Sequence, residues 1–181
     1  MTGSYEGFVG EIWHEFPQLA EWHDDDPKLL QLWDLDTFIE AGYHNFHAER
    51  KQLFHISKLI ETYAQEHSQP LLATFEKIKR YKFVEKRYQR MIENIPKIWV
   101  VADYGTTKID TPAKIDVINC KNTSLIDVWS VITRGPYGPF GLIAEEYEDG
   151  KFRGFFTLNP TVCRHAVDTM GKVLGKKFNI Q

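Results

Sequence analysis

Lys97-Ile98-Trp99-Val100-Val101-Ala102-Asp103 holds five apolar residues between two charged ones, and its reading decides the fold. A run this short, β-branched and aromatic reads as a strand with both faces covered. Downstream of it come Ala113 to Ile118, Asp127 to Arg134, Phe140 to Glu146 and Phe152 to Leu158, each rich in Val, Ile, Trp or Phe. Gly, Pro and Asn fill the gaps, which is the punctuation of a sheet. Gly135-Pro136-Tyr137-Gly138-Pro139 predicts one hairpin turn and Asp149-Gly150 another.

Outside this stretch the spacing turns helical. Leu53, Ile56, Leu59, Ile60 and Tyr63 predict a helix from Ala48 to Glu66, ended before Pro70. A shorter helix is expected from about Asp36 or Thr37, with Asp34, Asp36 and Thr37 as available caps. Residues 71–94 read as a second long helix, straight or bent, with Leu72, Phe75, Ile78, Val84, Met91 and Ile92 inward. Asn159-Pro160 opens a terminal helix whose buried stripe is Val162, Cys163, Ala166, Val167 and Met170. The expected fold class is α+β: a largely antiparallel four- or five-stranded sheet packed with helices, including a C-terminal one.

The chain of 181 residues has 22 Lys and Arg against 25 Asp and Glu, a net charge of -3. That balance gives no global pull toward nucleic acid, but the charges are segregated. Residues 1–36 hold nine carboxylates against Lys28 alone, while residues 71–97 hold eight Lys or Arg against Glu76, Glu85 and Glu93. Residues 1–36 are therefore read as an acidic, aromatic N-terminal arm with Trp13 and Trp22 as anchors, and 37–181 as one domain. No apolar run reaches the length of a membrane span and no secretory leader is visible, so a cytoplasmic location is expected. Cys120 and Cys163 have no metal or redox spacing and are expected to stay reduced.

Catalytic and cofactor motifs are missing. The Gly-Pro run lacks the Lys and Ser or Thr of a phosphate loop, and neither a dinucleotide fingerprint nor a nucleophile elbow occurs. His44 and His47 would share a helical face with Glu40 or Glu49, but no metal centre is assigned to them. Glu145 and Glu146, adjacent in a strand, point to opposite faces and cannot work as an acid–base pair. Trp99, Asp103, Tyr104, Trp129, Phe140 and Phe155 are candidate linings of a pocket between sheet and helices, with core packing as the competing use of the rings.

Ser57-Lys58-Leu59-Ile60-Glu61, Phe75, Arg87-Tyr88, Ile98-Trp99-Val100-Val101, Val128-Trp129-Ser130-Val131-Ile132, Gly135-Pro136, Leu142-Ile143-Ala144 and Phe152-Arg153-Gly154-Phe155 occur in that order. In this order the chain, over about residues 45–175, resembles the DICT domain. That is a sensory module associated with diguanylate cyclases and two-component systems in bacteria, especially cyanobacteria. The resemblance implies a free-standing input or interaction module for signalling, with no catalytic set to carry over. The expected function is a regulatory sensory or adaptor protein that acts through protein–protein contact, presenting Trp13, Trp22, Arg80, Arg87, Tyr88 and Arg90, with self-association also open. Two other readings stand beside it: a binding module for a small aromatic or pigment-like ligand, and a hydrolase or transferase centred on Asp103. No cofactor is expected, nucleic acid is not the expected partner, and no membrane insertion is expected.

Overall fold

The chain is described by a computed structural model for residues 7–20 and 26–180. Its strands are β1 (Tyr43–Glu49), β2 (Leu71–Lys77), β3 (Ile98–Asp103), β4 (Ile115–Asn119), β5 (Val128–Gly135), β6 (Gly138–Glu148) and β7 (Lys151–Thr157). The helices are α1 (Gly7–Glu15), α2 (Pro27–Leu30), α3 (Leu35–Ala41), α4 (Arg50–Glu66), α5 (Ile78–Met91) and α6 (Pro160–Leu174). One mixed sheet runs in the order β1-β7-β6-β5-β2-β3-β4. Pairings from β1 through β7, β6 and β5 to β2 are antiparallel, whereas β2–β3 and β3–β4 are parallel.

The α+β class, the helical cover and the C-terminal helix are as the sequence predicts. The sheet is larger than the expected four or five strands, because two strands do not announce themselves. β2 occupies the first third of the segment read as helix. It lies between β5 and β3 and is buried from Leu71 to Glu76. With both faces covered it has no apolar–polar alternation, and Leu72, Phe75 and Ile78 fall at three-residue steps that mimic a helix. β1 is obscured differently: buried His44 and Asn45 stand among its inward positions beside Phe46 and Ala48, so the apolar pattern is broken. Helix α4 accordingly starts two residues later than expected, where Gln52 accepts a hydrogen bond from the Glu49 amide at 2.7 Å and closes a capping box.

Strand alternation sends side chains into two cores. On one side Trp129, Val131, Phe140, Leu142, Phe152 and Phe156 meet α3, α4 and α5. On the other Val101, Ile132, Ile143 and Phe155 meet α1, α6, Phe178 and Ile180. The strands approach closely at Gly154, where a Cβ would run into the Ile143 carbonyl. The predicted hairpins form at Gly135↔Gly138 and through Gly150, which has φ +74°.

The described part of the expected N-terminal arm is built into both cores: α1 packs in the second, while Leu30, Trp33 and Leu35 pack in the first. Glu145 accepts the Phe8 amide at 2.9 Å and the Val9 amide at 3.4 Å, so a strand carboxylate caps α1. Gly7 leaves room for that carboxylate, since a side chain there would collide with it. Phe8, Val9, Ile12 and Trp13 are buried, and the Trp13 indole donates to the Tyr43 hydroxyl at 2.9 Å and Asn45 Oδ1 at 3.1 Å. Trp13→Ala is expected to remove about 3–5 kcal/mol of stability, as truncating a buried tryptophan does. Urea unfolding followed by circular dichroism checks this, and a change of only a few tenths of a kcal/mol would mark α1 as a detachable arm.

Candidate functional site

The basic segment expected from the sequence is divided by the fold. Helix α5 starts abruptly after a bulge in β2, where Glu76 takes φ +63° and turns the chain out of the sheet. Its inner face buries Tyr81, Val84, Tyr88 and Met91. Tyr88 donates its hydroxyl to Glu61 Oε2 at 2.5 Å, and Arg87 Nη2 reaches Glu61 Oε1 at 2.6 Å. Burial pushes the Glu61 carboxyl up, opposed by the Arg87 guanidinium and the Tyr88 hydroxyl. These groups fasten α5 to α4. Of the residues expected to form an interaction surface, Tyr88 is buried and Arg87 is tied to Glu61. Arg80 lies 3.1 Å from Glu76, Trp13 is in the core, and Trp22 lies outside the described residues. Arg90 alone of the six is exposed within the described structure.

A different row takes the outer face. Lys79, Lys82, Phe83, Lys86 and Arg90 are exposed and follow i, i+3, i+4, i+7 and i+11, one side of a helix. Phe83 is 82% exposed, its ring centroid 6.0 Å from that of Phe54, and Lys82 pairs with Glu85 at 3.4 Å. The sequence signal was the same periodicity that located the buried stripe, taken on its opposite side.

The expected pocket does not assemble. Trp99 and Phe155 belong to one core, Trp129 and Phe140 to the other, with the sheet between them. The Asp103 carboxylate accepts the Gly105 amide at 2.9 Å and the Tyr104 amide donates to Asn119 Oδ1 at 3.2 Å, so both shape the turn after β3. Two neighbouring depressions exist elsewhere. An apolar slot of about 160 Å³ is lined by Ile39, Tyr63, Pro136, Tyr137, Phe140 and Leu158. A trough of about 480 Å³ shares Ile39 and Tyr63 with it and is edged by Asp34, Asp36 and Glu66. Asp34 is held below the usual carboxylate range by hydrogen bonds from Thr37. A basic trough of about 890 Å³, with Lys172, Lys176 and Lys177, surrounds the carbonyl end of α6, where cations complement the helix terminus.

At the end of β2 the acidic groups Glu76, Asp127 and Glu146 bring carboxylate oxygens within 4.8 Å of one another. Arg80 faces Glu76, while Arg50 reaches Glu146 at 2.8 Å, so guanidinium groups answer this charge. His44 and His47 lie on β1 rather than a helix, which puts them on opposite faces, His44 against Trp33 and His47 against Tyr147. Glu145 and Glu146 also diverge, one capping α1 and the other meeting Arg50. No helix among the described residues is long and apolar enough to cross a membrane. No protein-family model, curated protein or solved structure matches the chain.

Glu76 is 3% exposed, and burial raises its carboxyl to about 8; Arg80 opposes the rise and Glu146 adds to it. The folded chain thus keeps this proton to higher pH than the unfolded one, which releases it near 4.5. The associated stability is complete below that lower value and is lost as pH rises through about 8. Burial also raises Glu61 and Glu145, so their contributions fall in the same direction. The melting temperature is expected to drop between about pH 5 and pH 8.5, and Glu76→Gln, which mimics the protonated acid, to flatten that drop. Parallel thermal melts of both proteins measure it; identical slopes would remove Glu76 from the account.

Proposed function

We propose that this protein is a regulatory adaptor or sensory protein that works by docking another protein onto the outer face of α5. The observation that carries the reading is Phe83, 82% exposed on a helix whose same side presents Lys79, Lys82, Lys86 and Arg90. A bulky apolar group held in water within a ring of cations suits an acidic protein surface that has an apolar recess. The charges steer and orient the encounter, and burial of the ring supplies affinity. Net charge of -3 over the whole chain favours a local acidic patch over extended nucleic acid, which rewards a broad positive surface. Glu61, Arg87 and Tyr88 support this reading by fixing α5, so its outer face is presented on a rigid element. The resemblance to DICT domains over about residues 45–175 supports reading such an adaptor as one of cytoplasmic bacterial signalling.

A photoreactive amino acid at position 83, introduced in cells producing the protein, tests the face directly. A discrete nuclease-resistant crosslinked protein is expected at position 83, absent with the probe at position 126 and lost when Lys82, Lys86 and Arg90 are changed to Glu. With the partner in hand, Phe83→Ala should weaken binding about tenfold or more, as truncation of a central contact residue does. A product digested by nuclease, or no product, would overturn the reading.

A further inference from the structure

The α5 face calls for an acidic surface with a recess for one ring, and the chain itself carries such a surface. The slot beside the β5–β6 hairpin has a volume of about 160 Å³ and walls from Tyr63, Phe140 and Leu158. An apolar cavity of about 150 Å³ accommodates one benzene ring, whereas drug-sized ligands fill about 300 Å³ or more. The slot therefore fits a single phenyl group better than a pigment. It shares Ile39 and Tyr63 with the trough edged by Asp34, Asp36 and Glu66, so carboxylates lie beside its apolar floor. Around Phe83 the signs are reversed, with Lys79, Lys82, Lys86 and Arg90 exposed.

The two surfaces cannot meet within one folded chain. Phe83 sits against Phe54 and the slot against Tyr63, both on α4. Nine residues of helix separate those two positions, about 14 Å along a rigid rod. We propose that the slot and its acidic trough receive the α5 face of a second copy of this chain, Phe83 entering the slot and the lysines beside it facing the carboxylates. The contact joins unlike surfaces, so it closes a pair when made reciprocally about a two-fold axis and otherwise continues as a ring or a filament. The assignment rests on the reading of α5 as a docking face and adds that self-association covers that face, so any other acidic partner must displace a copy of the protein.

Sedimentation of the full chain over a wide concentration range tests this. The unaltered protein is expected to associate, more weakly as salt is raised. Phe83→Glu, the double variant Lys82→Glu/Lys86→Glu and the double variant Asp36→Lys/Glu66→Lys should each sediment as monomers with unchanged circular dichroism. The lysine variant Asp36→Lys/Glu66→Lys mixed with Lys82→Glu/Lys86→Glu should associate again, because each supplies the charge the other now needs. A monomer at every concentration, association that survives all three variants, or a mixture that stays monomeric overturns the second copy as occupant. So does native mass spectrometry that finds a monomer carrying a small aromatic molecule. If the chain stays monomeric while the probe at position 83 still crosslinks to another protein, only the identity of the partner is lost. If no crosslink forms either, the docking face itself falls.

Discussion

The covering of β2 on both faces is the constraint on which the other elements depend. This strand joins the antiparallel half of the sheet to the parallel half, and it tolerates few unsatisfied polar groups. Thr74 meets that demand: its hydroxyl donates to the Val128 carbonyl at 2.9 Å and accepts the Ser130 amide at 2.7 Å. Once the strand reaches Glu76 the chain must leave the sheet at once, because α5 has to lie back over the same core that holds Phe75 and Trp129. A glutamate with positive φ, uncommon for a residue with a side chain, makes that turn and is kept there by Arg80 and Glu146.

Cations on α5 consequently have two different fates. Those beneath the helix or at its start are fixed to buried carboxylates, Arg87 to Glu61 and Arg80 to Glu76. Buried charges are seldom tolerated without such pairing, so these two arginines are structural first. The cations above the helix are left to solvent together with Phe83. The basic residues of α5 are thereby sorted into a fastening set and a presenting set by the carboxylates lying underneath.

How much of this was legible depended on whether a local pattern matched the final environment. The strands from β3 to β7 and the hairpins between β5, β6 and β7 were readable because Gly135-Pro136 and Asp149-Gly150 punctuate apolar runs. Asn159 was readable as a cap, and its side chain does accept the Thr161 amide at 3.0 Å. β2 was not, since a doubly covered strand loses alternation and no Gly or Pro marks its junction with α5. The aromatic pocket failed because residues from different strands were grouped without their register: Trp129 pairs with Phe75 and Ala144 on one face, while Phe155 lies opposite Ile143 and Asn45. The outer face of α5 was within reach of sequence, but charge drew attention to arginines that the fold had already engaged. The slot could not be foreseen, because it needs α3, α4 and the hairpin in place together.

The cap on α1 has a consequence for how the molecule is made. Phe8 finds its acceptor on Glu145, 137 residues away, and among the described residues β1 has β7 as its one strand neighbour. During synthesis these early segments leave the ribosome with their binding sites still untranslated. Phe8, Ile12 and Trp13 must then wait as sticky, unsheltered side chains, in need of a chaperone's cover or of fast collapse once Phe155 arrives. Contacts far along the chain therefore govern when α1 and β1 can settle.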